Sequence, residues 1–241
     1  MPAPTQDTMK NLLLSRMDAA DFALLAPHLQ PVRYPLHTIL FEPGQPVAHA
    51  YFPADGILSL VVISPEGQRV EAGMIGRDGF APTSLALQDD RTHYEGTVQM
   101  PLHGHRIATD AFHAAIARSD SLRVMMTRFA QALSAQVSFT ALSNAVHSIE
   151  ERLARWILLC DDRTASGELA MTHDYMSVML AVRRPSVTTA IHVLEGNGLI
   201  RAERGLIVVR NRASLEEFAG DAYGAAEREY ERLLGPLHPA G

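Results

Sequence analysis

The chain of 241 residues contains one cysteine, one lysine and one tryptophan. The lone thiol, Cys160, excludes an internal disulfide framework and a multi-cysteine metal or iron–sulfur centre built within one chain. It falls in RLARWILLC, an apolar helical stretch, and reads as an ordinary buried thiol. Lysine occurs only at Lys10, so arginine carries almost all the positive charge. No apolar run approaches membrane-spanning length, and MPAPTQDTMK lacks a signal-peptide pattern. A cytoplasmic location is therefore expected. Neither a nucleophile–base pair nor a complete set of metal ligands is visible, so the chain is not expected to be an enzyme and no cofactor is expected.

What is present is concentrated in residues 171–212. Thr172 can cap a helix running to about Leu180, with Met176, Met179 and Leu180 on one face. Ala181-Val182 form a compact turn, and Pro185 sits just inside the next helix, where its missing N–H costs nothing. Val187, Ala190, Ile191 and Leu194 recur at i, i+3, i+4 and i+7, so that face packs inward. The opposite face carries Ser186, Thr189 and His192, with Arg183 and Arg184 at its entrance. Gly196 and Gly198 end the helix, and residues 199–203 and 206–210 form a hairpin around Arg204-Gly205. Two helices, a turn and a hairpin make a winged helix-turn-helix, which places one helix in the DNA major groove. Six Arg against Asp174, Glu195 and Glu203 give this segment +3 on a chain of −6. It is a basic island on an acidic protein.

The rest of the chain divides by period. Residues 8–30 read as helical. From 32 to about 108, short apolar runs broken by Gly, Pro and Asp predict an antiparallel β-roll. Over 110–146 the period returns to helical. Phe112, Ile116, Leu122, Met126, Phe129, Leu133, Val137 and Thr140 make one apolar stripe on a helix of roughly 35 residues, long enough to suggest a dimer seam. A break near 144–148 precedes a helix over 149–163. The last 29 residues form an acidic helical tail, with two Arg against six acids. That tail is expected to pack on the head or to extend the dimer contact.

In this order the chain resembles the CRP/FNR superfamily of bacterial transcription regulators, which includes the catabolite activator protein. In the N-terminal half the resemblance rests on FEPGQPVAHAYFPADGILSL, EAGMIGRDG and DDRTHYEGTVQ. In the C-terminal half, where the match is more specific, it rests on EERLARWILLCDDR, RRPSVTTAIHVLEGNGLI and RNRASLEEFA. It implies an α+β fold with an N-terminal cyclic-nucleotide-binding-like β-roll, a long dimerisation helix and a C-terminal winged helix-turn-helix. The expected division is 1–109, 110–147 and 148–241. The implied function is a homodimeric, sequence-specific DNA-binding transcription regulator acting on a palindromic operator, with RNA polymerase and an unidentified small-molecule effector as further partners.

Arg184 and Thr189 are the candidate base contacts. Arg183, Ser186 and His192 are candidate phosphate or flank contacts, and Arg204 in the wing is a candidate backbone contact. Pro185 stands where the catabolite activator carries a glutamate, which implies a different target sequence. Cyclic-nucleotide-binding relatives hold the ribose with a Gly-Glu pair and the phosphate with an Arg-Ser pair. Here Ala81-Pro82-Thr83 occupies the ribose position and Arg91-Thr92 the phosphate position, with Asp89 and Asp90 beside Arg91. The expectation is that cyclic AMP does not drive the protein. The alternative is a cyclic-nucleotide-dependent regulator that uses Arg91-Thr92. A third reading, a cupin-type metal enzyme, rests only on His103-Gly104-His105 and Asp110.

Overall fold

The computed structural model describes residues 4–164, 167–203 and 205–237. A continuous helix over 8–30 does not form. Two short helices, α1 (Leu12–Arg16) and α2 (Ala19–Leu25), take its place. Extended backbone at Met17 and Asp18 separates the two, and Asn11 sets where the first begins. Its side-chain oxygen accepts the N–H groups of Leu13 and Leu14 at 3.1 and 3.2 Å, which starts α1 afresh. Its amide donates to the Pro53 and Gly79 carbonyls at 2.8 and 2.7 Å, tying this buried residue to the roll.

The expected β-roll is present. Strands β1 (Gln30–Tyr34), β2 (Ile39–Phe41), β3 (His49–Ile63), β4 (Arg69–Ile75) and β5 (Glu95–Ala108) form one antiparallel sheet. Its order is β1-β5-β3-β4, with β2 also paired to β5. Register shifts between Pro53 and Leu58 bend β3. Gly56 sits in that bend at φ +86°, and a Cβ there would lie 2.3 Å from the Pro101 carbonyl oxygen. Beyond the bend, alternate residues of β3 serve two cores. Leu58 and Leu60 join α1, α2 and the helices that follow the sheet. Ile57 and Val61 face the C-terminal half. That is why ILSLVVI is apolar without alternation: the strand is covered on both faces.

The single helix expected over 110–146 is two. α3 (Thr109–Arg118) and α4 (Asp120–Val146) are separated by Ser119, which adopts an extended conformation. The Ser119 hydroxyl oxygen accepts from the Leu122 N–H at 3.2 Å and its proton goes to Asp21 at 2.5 Å, so the break is capped and anchored. Most of the predicted stripe is consumed within the chain, while Val137 and Thr140 at its far end are half-buried. Phe112, Ile116, Leu122, Met126, Phe129 and Leu133 are all buried in the roll's own core. Phe129 comes so close to the roll that a Cβ on Gly79 would meet its ring at 1.7 Å. A different edge of α4 is left to solvent, with Val124, Leu142 and Val146 exposed at 38%, 48% and 64%.

His147 and Ser148 end α4 and open α5 (Ile149–Arg163), where Ser148 and Glu151 form a reciprocal cap. Then come β6 (Glu168–Ala170), α6 (His173–Met179), α7 (Arg184–Gly196), β7 (Ile200–Glu203), β8 (Leu206–Val209), α8 (Arg212–Ala219) and α9 (Ala225–Leu234). The tail divides its allegiance. α8 packs on α5, whereas α9 returns to α4. Tyr230 and Leu237 are buried in the N-terminal core, and the Tyr230 hydroxyl donates to the Asp78 carbonyl at 2.7 Å. The expectation that the tail packs on the head therefore holds for α8 and not for α9.

Candidate nucleic-acid interface

The C-terminal half folds as its sequence pattern dictates. The Thr172 hydroxyl caps α6 by accepting the Tyr175 N–H at 3.3 Å. The turn expected at Ala181-Val182 is tight enough to put Ala181 at φ +50°. Arg183 stands at the N-terminal boundary of α7 with no side-chain cap bond, and Pro185 lies in the first turn. Val187, Ala190, Ile191 and Leu194 are buried against α5 and α6. β8 pairs with β7 on one side and with β6 on the other, so the hairpin is the edge of a three-stranded sheet. β6, three residues opening on Glu168, is too short to be recognised from sequence.

The candidate residues on α7 do share a surface. Arg183, Arg184, Pro185, Thr189 and His192 are exposed and Ser186 is half-buried. Pro185, Thr189, His192 and Gly196 follow one another at helical steps of four, three and four along the outer face. The Thr189 hydroxyl donates to the Pro185 carbonyl at 3.1 Å, which leaves its oxygen and methyl group outward. Thr188 was not singled out by sequence. It is half-buried, donates to the Arg184 carbonyl and lies 3.0 Å from His173 Nδ1, joining the two helices. On the wing, Arg201 pairs with Glu203 and Arg210 is exposed. Arg204 lies outside the described residues.

Arg91 and Thr92 are not brought together as a phosphate cradle. Arg91 is exposed, donates to the Gly44 carbonyl at 3.2 Å and lies 4.0 Å from Asp90. Thr92 is buried, and its hydroxyl oxygen accepts the Tyr94 N–H at 3.2 Å. Ala81 exchanges backbone hydrogen bonds with Tyr51. Phe52, Phe80, Phe112 and Phe129 fill the space between sheet and helices, with successive ring centroids 5.4–6.1 Å apart. His103 and His105 are half-buried on β5, and among the described residues no group of three His, Cys, Asp or Glu converges.

How the C-terminal half sits on the roll was not legible in the amino-acid order. Ile57, Val61, Met74 and Met100 form one apolar core with α5 and the helix-turn-helix. Through it runs a polar seam. Trp156 Nε1 donates to Glu71 at 2.7 Å, the Tyr175 hydroxyl donates to Ser59 at 3.1 Å, and Ser59 contacts both Glu71 and Gln99. Burial pushes the Glu71 carboxyl up to about 7, against the lowering effect of its Ser59 and Trp156 hydrogen bonds and of the Arg155 and Arg163 charges. Burial likewise raises Cys160, whose thiol lies 3.7 Å from the Met74 sulfur. Beside the seam, Arg163 is paired with Asp78 of the roll at 3.0 Å, and Arg212 bridges Asp161 and Asp162, each at 2.6 Å.

Comparison with known proteins agrees with this geometry. Residues 151–218 match the family model of the Crp-like helix-turn-helix domain. A CRP/FNR-family regulator from Eubacterium rectale superposes with a TM-score of 0.63 at 17% identity, over 86% of this chain and 97% of that one. FixK2 from Bradyrhizobium japonicum gives 0.67 at 14% identity, over 79% and 96%. A CRP-family regulator from Thermus thermophilus gives 0.62 at 18% identity, over 80% and 99%. No curated protein matches the sequence.

Proposed function

We propose that this chain, whose residues 151–218 match the Crp-like helix-turn-helix domain and whose fold is similar to that of CRP/FNR-family regulators, is a DNA-binding regulator of the CRP/FNR type that works in the cytoplasm as a homodimer on a palindromic operator. The observation that carries the reading is the outer face of α7. Arg183, Arg184, Pro185, Thr189 and His192 form one exposed surface, backed by a buried row that fixes the helix to α5 and α6.

In this reading α7 enters the major groove. Arg184 and Thr189 read base edges, Arg183, Ser186 and His192 hold phosphates or flanking positions, and Arg204 meets the backbone from the wing. Pro185 offers neither hydrogen bond nor charge, so the operator differs from one read by a carboxylate at that point. Dimerisation uses the exposed edge of α4, where Val124, Leu142 and Val146 remain uncovered. RNA polymerase is the further partner at the promoter. The division of labour is a sensor over 1–109, a coupling helix over 110–147 and a DNA-binding unit over 148–241, with α9 fastening that unit back to the sensor.

The reading also includes independence from cyclic AMP. It is supported by the outward course of Arg91 and by the four phenylalanines that fill the space between the sheet and helices α3 and α4. Footprinting on DNA selected by the purified protein tests the central part. Two protected half-sites about 34–36 Å apart are expected. A single asymmetric site, or no protection, would overturn it. Calorimetry with cyclic AMP and cyclic GMP tests the rest, and micromolar binding of either would restore Arg91-Thr92 as the effector site.

A further inference from the structure

The seam between roll and head contains a proton count that constrains its chemistry. Ser59 has one hydroxyl proton. It faces two acceptors, a Glu71 carboxyl oxygen and the Gln99 carbonyl oxygen, and receives the proton of Tyr175. One proton cannot serve both acceptors. Two arrangements resolve the conflict. Turning the Gln99 amide, whose nitrogen is buried without a partner as placed, lets that nitrogen donate to Ser59 while Glu71 is ionised; protonating Glu71 lets it donate to Ser59 and Ser59 to Gln99, while the other Glu71 oxygen still accepts from Trp156. The surroundings of Glu71 favour the second.

The charged groups around Glu71 do not offer an ionised carboxylate a partner. Arg163 is engaged by Asp78 and Asp162, and Arg155 by Thr140 and the Gln136 carbonyl. Arg152 is bonded to Asn144 and the Leu180 carbonyl, and Arg69 to Glu95. Cys160 and Tyr175, the remaining titratable neighbours, are both held neutral by burial. The space beside Glu71, bounded also by Gln136, Arg152 and Arg155, is about 20 Å³. That is room for about one water and too little to hydrate a carboxylate.

We propose that this seam is a proton-operated latch: the shared proton on Glu71 holds the head against the roll, and its loss loosens the head so that the roll no longer fixes the recognition helix. The consequence for DNA rests on the reading of α7 as the recognition helix; the latch itself does not. Docking takes up a proton, so it is favoured at low pH. It weakens as pH rises from the ordinary carboxylate range through about 7.

Trp156 is the only tryptophan in the chain and its indole N–H is bonded to Glu71, so its fluorescence reads the seam directly. Emission of the full-length protein should shift to the red with a midpoint near pH 7 while far-UV circular dichroism stays constant. Glu71→Gln keeps the same hydrogen bonds without a titratable proton and should remain blue-shifted throughout. Tyr175→Phe, which removes a donor to Ser59 and no charge, should lower the midpoint. No shift between pH 5.5 and 8.5, or the same shift in Glu71→Gln, would overturn the latch. The first of those results is also what a reversed Gln99 amide would produce, since its nitrogen would then satisfy Ser59 with Glu71 ionised. In a second measurement, the affinity ratio of Glu71→Gln to wild type for selected DNA is read at both pH limits. The ratio should be near one at low pH and rise to about tenfold in favour of Glu71→Gln one pH unit above the midpoint. A constant ratio beside a titrating fluorescence would overturn the coupling to DNA and leave the latch standing. Loss of all DNA binding beside a titrating fluorescence would instead refute the functional reading.

Discussion

The two faces of β3 carry opposite solutions to burial. Toward α3 and α4 lies a largely apolar core, in which Leu58, Leu60 and four phenylalanines meet, with Asp78, Gln136 and Tyr230 at its edge beside Phe129. Toward α5 and α6 the same strand presents Ile57, Ser59 and Val61, and Ser59 belongs to a buried polar network with Glu71, Gln99, Trp156 and Tyr175. An apolar core tolerates slow erosion of its contacts. A buried polar network is close to all-or-none, because each unpaired member costs its full desolvation. The difference suggests that one face supplies stability and the other supplies coupling.

The largest expected effect lies in the apolar core. Phe129→Ala should cost about 3–5 kcal/mol in denaturant unfolding, through a cavity lined by Phe80, Leu133 and Tyr230. A loss below about 1 kcal/mol, the cost of a conservative swap, would mean that the phenylalanine cluster is not the main support of the roll. At the seam, Trp156→Phe should cost less, about 1–3 kcal/mol, by leaving a Glu71 oxygen unpaired. A cost equal to that of Phe129→Ala would erase the distinction between the faces. On the recognition helix, Arg184→Ala should leave stability unchanged while weakening binding to selected DNA by about 1–3 kcal/mol and relaxing one base position, as gel shifts would report. Smallest of all, Arg91→Ala should change melting by no more than about 0.5 kcal/mol, because its contacts are exposed.

The parts of this molecule that follow local rules were legible in its sequence. The Thr172 cap, the Ala181 turn, Pro185 in the first turn of α7 and its buried row all lie where spacing places them. The break at His147-Ser148 and the burial of Cys160 were equally plain. What failed was the reading of long apolar stripes. Periodicity shows that Leu122, Met126, Phe129 and Leu133 share a face, but not which surface covers it, and the roll claimed that face before any partner could. Ser119 escaped notice because a single serine interrupts helical period without disturbing the apolar spacing on either side. The seam was invisible for a related reason. Ser59 and Glu71 are 12 residues apart, and Trp156 is 85 residues beyond Glu71, so only the tertiary fold brings them together. A polar residue inside ILSLVVI was the one available hint.

The central claim is that α7 reads DNA, and selection of bound sequences from a random pool tests it most directly. The account predicts enrichment of a two-fold symmetric site with half-sites one helical turn apart, and a degenerate position in that site when Arg184→Ala is used instead. An unenriched pool, or the same site selected by both proteins, would contradict it.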